Sequence, residues 1–144
     1  MGGVGKRFGS EVPKQFHRLA GKPVYRVTLE AFLRAAFFDE IVLSCHADWI
    51  EVVEREVQAM ALSIPVRIVA AGATRQESSY RGLQGFGIAP SIVLIHDAVR
   101  PFVSERILRD NALLAIEHGA VDTCIASADT LVQSFDGRNI VSIP

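Results

Sequence analysis

Strand-like and helix-like runs alternate along this 144-residue chain, and this alternation limits the possible folds more than any other feature. Three short runs rich in β-branched residues predict buried strands: residues 40–45, 66–70 and 91–96. Apolar residues at helical spacing follow each of these runs. Strands that alternate with helices along the chain usually pair in parallel, and the helices cover the sheet. The sequence therefore predicts an α/β fold. We expect it to be Rossmann-like, with a mostly parallel sheet that is doubly wound.

Residues with N-cap character precede the predicted helices. Asp48 with Glu51, and Thr74 with Glu77, have the spacing of a capping box, in which side chains satisfy the first backbone N–H groups of a helix. Ser104 precedes the third helical run. We therefore expect helices to begin at these three positions.

The C-terminal part of the chain has the pattern of an antiparallel ribbon. Residues 121–126 and 130–135 are strand-like, and Asp136-Gly137 is a typical hairpin turn before residues 140–143. The sequence therefore predicts a β-arm near the C-terminus.

The composition predicts a single domain over residues 1–144. A hydrophobic fraction of 49% and a mean hydropathy of +0.26 provide enough apolar surface for a core. No apolar run reaches the roughly 18 residues that cross a bilayer, and no export signal is visible. Cys45 and Cys124 form no metal or redox motif, and the four histidines are scattered. We therefore expect a cytoplasmic protein with no membrane partner.

The charges are unevenly distributed, although the net charge is only −1. Residues 1–26 carry a net charge of +5, and the remaining residues carry −6. Nucleic-acid binding would favour basic residues interleaved with aromatic ones, but here the cations lie among glycines. This arrangement favours a compact polyanion such as a nucleoside triphosphate and predicts no nucleic-acid partner.

A glycine-rich cluster with cations stands at the N-terminus. Three of its residues would let the backbone approach a phosphate group closely: Gly2, Gly3 and Gly5. A P-loop would need Ser or Thr after Lys6, where Arg7 stands. A dinucleotide fingerprint would need glycine in place of Phe8. The cluster is therefore either a phosphate cradle of another kind or a flexible end.

Lys14 follows a proline, in the run Pro13-Lys14-Gln15-Phe16. A proline restricts the backbone, so the lysine would be oriented well enough to contact a phosphoryl group. The alternative is an ordinary surface lysine.

The turn at residues 71–74 leads into a predicted helix. Gly72, Arg75 and Ser78 combine a tight turn, a cation and a hydroxyl with the free N–H groups of a helix N-terminus. These groups could hold a polar base or a ribose, or they could simply cap the helix.

Asp97 comes directly after the predicted strand at residues 91–96. A carboxylate at the carboxyl end of a parallel strand is well placed to hold a metal ion or an acceptor hydroxyl. The alternative is an ion pair between Asp97 and Arg100 in a helix-entry turn. Because ligands of such sheets lie beyond these strand ends, the turns at 71–75 and 96–101 are expected near the site.

Five motifs in this order resemble the cytidylyltransferases of polyol phosphates, a family that includes the methylerythritol phosphate and ribitol phosphate enzymes. The motifs are Gly-x-Gly-x-Arg, Pro-Lys-Gln-Phe, Gly-Lys-Pro, Gly-x-x-Arg-Gln-Glu-Ser and His-Asp-Ala-x-Arg-Pro-Phe-Val. They occur here at residues 3–7, 13–16, 21–23, 72–78 and 96–103. The resemblance covers essentially the whole chain, and it implies a fold of the nucleotidyltransferase type.

The resemblance also implies roles for individual residues. Arg7 and Lys14 match the family's catalytic cations, which stabilise the pentacoordinate phosphate. Other matching residues would bind the nucleotide: Gly2, Gly3, Gly5, Gly72, Arg75, Ser78, Asp97 and Arg100. Asp97 and Thr130 match acceptor-side positions, and Asp97 would also bind Mg²⁺. The implied partners are CTP and a polyol phosphate, and the implied assembly of the full-length protein is a homodimer.

The sequence departs from the family pattern in ways that bear on the acceptor. The stretch at residues 119–132 resembles the ribitol branch more than the methylerythritol branch, so D-ribitol 5-phosphate is favoured as the acceptor. The family also has an apolar strand before the glycine loop and further residues after position 144. We therefore expect a domain truncated at both ends.

Three functions remain open from the sequence. The first is CMP transfer from CTP to a polyol phosphate, and the methylerythritol phosphate enzyme is its variant. The second is CTP binding without turnover. The third is a nucleotidyltransferase of similar fold for another base, against which the run Arg75-Gln76-Glu77-Ser78 argues.

Overall fold

Two parallel strands stand at the centre of the computed structural model, which describes residues 12–87, 89 and 92–143. The strands of these residues are β1 (Arg18–Leu19), β2 (Lys22–Pro23), β3 (Ile41–Cys45) and β4 (Val66–Ala70). The α-helices are α1 (Val24–Ala35), α2 (Ile50–Gln58), α3 (Arg75–Gln84) and α4 (Glu105–His118). Short 3₁₀ turns occupy Lys14–Phe16 and Ala47–Trp49.

The strands β3 and β4 pair in parallel, in register from Ile41 opposite Val66 to Cys45 opposite Ala70. They confirm the predicted strands at residues 40–45 and 66–70. Helix α2 makes the crossover between them, which is the connection that parallel neighbours require. A separate antiparallel pair, β1 and β2, lies before α1.

Helices cover both faces of the β3–β4 pair. On one face, α1 and α2 contribute buried apolar side chains to a core cluster with β3: Tyr25, Leu29, Cys45, Val53 and Val57. On the other face, α3 approaches so closely that a Cβ on Gly85 would lie 2.7 Å from Val69 and 3.0 Å from Val42. Ser44 Oγ also donates to the carbonyl oxygen of Ser78 in α3 (3.1 Å). This arrangement confirms the predicted doubly wound α/β class.

The predicted strand at 91–96 does not join this sheet over its described residues, 92–96, so that prediction was wrong. An apolar cavity of about 460 Å³, lined by β3 and this segment among others, separates the two backbones. The segment is attached to α1 instead. Thr28 Oγ1 donates to the carbonyl oxygen of Ala98 (2.8 Å), and the rings of Phe32 and His96 lie 5.2 Å apart.

The predicted caps of α3 and α4 are confirmed. Thr74 Oγ1 accepts from the backbone N–H of Glu77 (3.1 Å), and Ser104 Oγ accepts from that of Ile107 (3.3 Å). The predicted capping box of Asp48 was wrong, because the chain first makes the 3₁₀ turn Ala47–Trp49. Helix α2 begins after that turn without a side-chain cap.

The predicted β-arm is reduced to one antiparallel bridge, between Gln133 and Ser142. The expected strands at 121–126 and 130–135 do not form among the described residues. The turn itself is present, because Asp136 accepts from the N–H groups two and three residues later (2.8 Å each). These contacts hold the pKa of the Asp136 carboxyl well below its usual range. Side chains from 120 to 143 are exposed, so they provide no packing to extend the ladder.

Candidate active site

The two turns predicted to lie near the site meet through an ion cluster. Asp97, in the turn after residues 92–96, pairs with Arg75 at the N-terminus of α3. Its other carboxylate oxygen lies 3.0 Å from Nε of Arg100. The structure therefore joins three of the predicted site residues, and it also contains the Asp97–Arg100 ion pair that was the structural alternative.

The electrostatics of the cluster keep Asp97 ionised. Partial burial raises the pKa of its carboxyl, but the hydrogen bond and charge of Arg75 and the charge of Arg100 outweigh that effect. The net result is a pKa below the usual range for aspartate. Both guanidinium groups remain largely exposed, with side-chain exposures of 81% and 73%, so they are accessible to an anionic ligand.

Gly72 and Ser78 are brought together by hydrogen bonds inside the turn after β4. Ser78 Oγ accepts from the N–H of Gly72 (3.1 Å) and donates to the carbonyl oxygen of Thr74 (2.8 Å). The hydroxyl is therefore part of the turn's own bonding, and its predicted contact with a nucleotide stays a prediction.

Two residues of α3 that were not predicted as site residues bond to this turn. Glu77 Oε2 accepts from the N–H of Ala73 (2.8 Å), and Glu77 Oε1 pairs with Arg81 Nη2 (2.5 Å). Arg81 Nη1 also donates to the carbonyl oxygen of Ala71 (3.1 Å). The four-residue spacing of Glu77 and Arg81 was the signal in the sequence that could have identified this pair.

Lys14 is presented from an anchored turn. Its neighbours Pro13 and Gln15 are buried, whereas Lys14 itself is exposed. The ring of Phe16 stacks on Trp49, with centroids 4.0 Å apart and an angle of 17° between planes. The backbone position of Lys14 is therefore fixed by packing, although no hydrogen bond or ion pair joins its side chain to the Asp97 cluster within the described residues.

The other predicted site residues are not joined to this cluster. Thr130 lies in the exposed C-terminal segment, and among the described parts of the chain it does not line the cavity that Asp97 lines. The remaining four lie outside the described residues: Gly2, Gly3, Gly5 and Arg7. Their roles stay predictions.

A cleft of about 1140 Å³ opens at the ion cluster. Its lining includes Arg75, Asp97 and Arg100, the α4 residue Asn111, and residues 119–123. A cleft of this size is sufficient for a nucleotide. Two exposed guanidinium groups at its wall would attract an anionic ligand.

The donor set at this cleft fits Mg²⁺ only together with a ligand. No group of three His, Cys, Asp or Glu side chains that could hold a metal occurs in the described part of the chain. Asp97 offers one carboxylate. Mg²⁺ is commonly held by one or two carboxylates and the phosphate oxygens of a substrate, so Asp97 fits a metal ion carried by a nucleotide.

An α/β fold with a cleft of this size and cationic side chains at its wall is typical of nucleotide-binding proteins. The family model described as IspD, 2-C-methyl-D-erythritol 4-phosphate cytidylyltransferase, matches residues 1–142. The chain therefore belongs to this cytidylyltransferase family.

The chain is similar to two known proteins, one in sequence and one in fold. The chain is 37% identical, over 149 aligned residues, to a ribitol-5-phosphate cytidylyltransferase of Lactiplantibacillus plantarum. That alignment covers 99% of this chain and 64% of the relative. The fold matches a crystal structure of 4-diphosphocytidyl-2C-methyl-D-erythritolsynthase from Anaerococcus prevotii, with a TM-score of 0.81 and 27% identity. That match covers 90% of this chain and 58% of the other.

None of the helices in the described residues is both long enough and apolar enough to cross a membrane.

Proposed function

We propose that this protein transfers CMP from CTP to a polyol phosphate and releases pyrophosphate. The observation that carries the proposal is the ion cluster in which Asp97 joins Arg75 to Arg100. It links the turn proposed for the nucleotide to the turn proposed for the acceptor. Family membership and the name of the Lactiplantibacillus relative support the same reaction.

The reaction requires positioning and charge neutralisation rather than a nucleophilic side chain. A phosphate oxygen of the acceptor attacks the α-phosphorus of CTP. A new P–O bond forms there, and the bond from the α-phosphorus to the bridging oxygen breaks, so that pyrophosphate departs. Because the reactants are both anions, cations near the α-phosphorus lower the barrier. Lys14, held on its packed turn, and Arg7 are proposed for that role.

Asp97 is proposed to hold Mg²⁺ together with the phosphate oxygens of the nucleotide. A bound Mg²⁺ would neutralise part of the triphosphate charge. Arg75 and Arg100, once a nucleotide occupies the cleft, can exchange their contact with Asp97 for contacts with ligand oxygens, since both are exposed. Gly72 and Ser78 would shape the pocket for cytosine and ribose.

D-ribitol 5-phosphate is the favoured acceptor, and 2-C-methyl-D-erythritol 4-phosphate is the alternative. Support for ribitol comes from the stretch at residues 119–132 and from the name of the 37% identical relative. A homodimer in the cytoplasm is also proposed. Exposed apolar side chains on the C-terminal segment, such as Phe135 at 82% exposure, support association, and the two unpaired cysteines support a reducing compartment.

Binding and turnover are tested separately. Calorimetric titration with CTP, UTP and ATP should show a preference for CTP that Mg²⁺ improves, and a preference for ATP would contradict the proposal. Turnover of labelled CTP with each acceptor then identifies the acceptor. Binding of CTP without turnover would favour a binding module instead.

A further inference from the structure

We infer that Glu77 and Arg81 are positioning residues that set the nucleotide preference of the turn after β4, by holding its backbone in one conformation. This inference rests on the proposed function. Glu77 lies in the first turn of α3 and Arg81 lies one helical turn later, so both side chains point along the same face of the helix. Together they bond to two backbone groups of the turn, the N–H of Ala73 and the carbonyl oxygen of Ala71.

Glu77 holds the turn at its N–H side. Its Oε2 accepts from the N–H of Ala73 at 2.8 Å, while its own N–H donates to Thr74 Oγ1 at 3.1 Å. Ala73 itself is exposed, so its N–H would otherwise be available to a ligand. Glu77 therefore withholds a backbone donor from the surface of the turn.

Arg81 holds the same turn at its carbonyl side. Its Nη1 donates to the carbonyl oxygen of Ala71 at 3.1 Å, and its Nη2 pairs with Glu77 Oε1 at 2.5 Å. One guanidinium group thus fixes the end of β4 and orients the carboxylate that binds Ala73. The hydrogen bond from Ala73 and the pairing with Arg81 also hold the pKa of Glu77 below its usual range.

The absence of a side chain at Gly72 makes room for this arrangement. A Cβ there would lie 2.3 Å from Cγ and 2.4 Å from Cβ of Glu77. Glu77 therefore lies directly against the backbone of the turn. The N–H of Gly72 is also used internally, by Ser78 Oγ.

The bonding of these N–H groups affects how the turn would distinguish cytosine from uracil. Cytosine carries an amino donor where uracil carries a carbonyl acceptor. The N–H groups of Gly72 and Ala73 are both bonded within the turn. They therefore offer no donor to the carbonyl oxygen that uracil has in place of the amino group. Releasing the N–H of Ala73 would provide such a donor, so the turn would then discriminate less well between CTP and UTP.

The test compares matched variants of the whole chain. Glu77→Met keeps the length of the side chain against Gly72 but removes the acceptor. Glu77→Gln restores an acceptor oxygen for Ala73 without the charge. Glu105→Met is the control, because Glu105 forms the same kind of four-residue pair with Arg109 in the first turn of α4 (2.7 Å). Thermal unfolding verifies that each variant is folded.

Two readouts decide the outcome. Amide exchange of Ala73, followed by NMR, should be at least about tenfold faster in Glu77→Met and intermediate in Glu77→Gln. The ratio of CTP to UTP affinity, measured by calorimetry, should fall about tenfold in Glu77→Met and stay unchanged in the control. Unchanged exchange, or an unchanged ratio despite faster exchange, would overturn the inference. Wild-type protein without any CTP preference would instead overturn the proposed function. The exchange rates would still decide whether Glu77 holds the N–H of Ala73.

Discussion

Asp97 is the residue through which the two halves of the candidate site interact. It lies between two guanidinium groups, one from the start of α3 and one from its own turn. An aspartate in this position stabilises the protein only while it is ionised. Its contribution therefore depends on pH in a direction that can be worked out from its pKa.

The pKa of Asp97 is lower in the folded protein than in the unfolded chain, where aspartate titrates at about 3.9. Ionised Asp97 therefore contributes stability above that pH, and the contribution is lost as the pH falls through the folded-state pKa. Relative to Asp97→Asn, the wild type should have a constant excess of stability between pH 7 and about pH 5, which disappears in stronger acid. Urea unfolding across this range measures it, with Asp110→Asn as control, because Asp110 is half-buried and pairs with a single arginine of its own helix, Arg106 (3.1 Å). An excess that grows toward acid would contradict the prediction.

Gly72 should not tolerate a side chain, because the new Cβ would overlap Glu77. Gly72→Ala is expected to weaken CTP binding about tenfold by displacing the carboxylate from Ala73. The matched control is Gly82→Ala in α3, where a Cβ meets nothing within 4 Å. That change should stabilise the protein by about 0.5–1 kcal/mol, because alanine favours helix more than glycine does. Calorimetry and denaturant unfolding give both values. Equal effects of the two changes on CTP affinity would contradict the prediction.

Lys14 and Arg7 should matter more for turnover than for binding, since charge builds up at the α-phosphorus only during reaction. Each change to alanine should lower kcat about 10²-fold while CTP affinity changes much less. Lys22→Ala is the control, because Lys22 belongs to the same basic region but is paired with Glu30 (2.7 Å). Steady-state kinetics with saturating acceptor separate kcat from KM. A raised KM with unchanged kcat would mean that these cations only bind the ground state.

At the scale of elements, two helices begin with the same kind of cap but in different surroundings. Thr74 caps α3 beside the ion cluster, whereas Ser104 caps α4 and makes no hydrogen bond to the turn after β4 among the described residues. Thr74→Ala and Ser104→Ala should each lower the free energy of unfolding by about 1 kcal/mol. Only Thr74→Ala should also weaken CTP binding, because its loss loosens the turn that Glu77 holds. Unfolding in urea and calorimetry test both statements, and equal losses of affinity would contradict the second.

Some helices and strands were predicted correctly from local patterns in the sequence alone. The strands β3 and β4 and the caps Thr74 and Ser104 are specified locally, by β-branched runs and by residue types at fixed spacing. Asp48 failed as a cap because a 3₁₀ turn, which has almost the same local signal, forms there first. The pair between Glu77 and Arg81 was visible in principle, since it is a contact within one helix.

At the scale of the whole molecule, the limits of sequence reasoning come from contacts between distant segments. The strand expected at 91–96 has suitable residues, but a ladder needs a neighbour within bonding distance, and the apolar cavity lies beside β3 instead. Asp97 meets Arg75 across 22 residues, and no periodicity encodes that encounter. That the turns at 71–75 and 96–101 meet was nevertheless predictable, because both were expected at the same edge of a parallel sheet.

The cavity beside β3 also affects how the protein should be handled in concentrated solution. Ile41 and Cys45 bond toward β4, so the backbone groups of Val42 point the opposite way, toward the cavity. The segment at residues 92–96 lies across the cavity from this edge, so a foreign strand could pair with β3 only after that segment had moved away. Concentrated samples should therefore stay clear under native conditions, and they should become turbid and stain with thioflavin in a mild denaturant that loosens the segment.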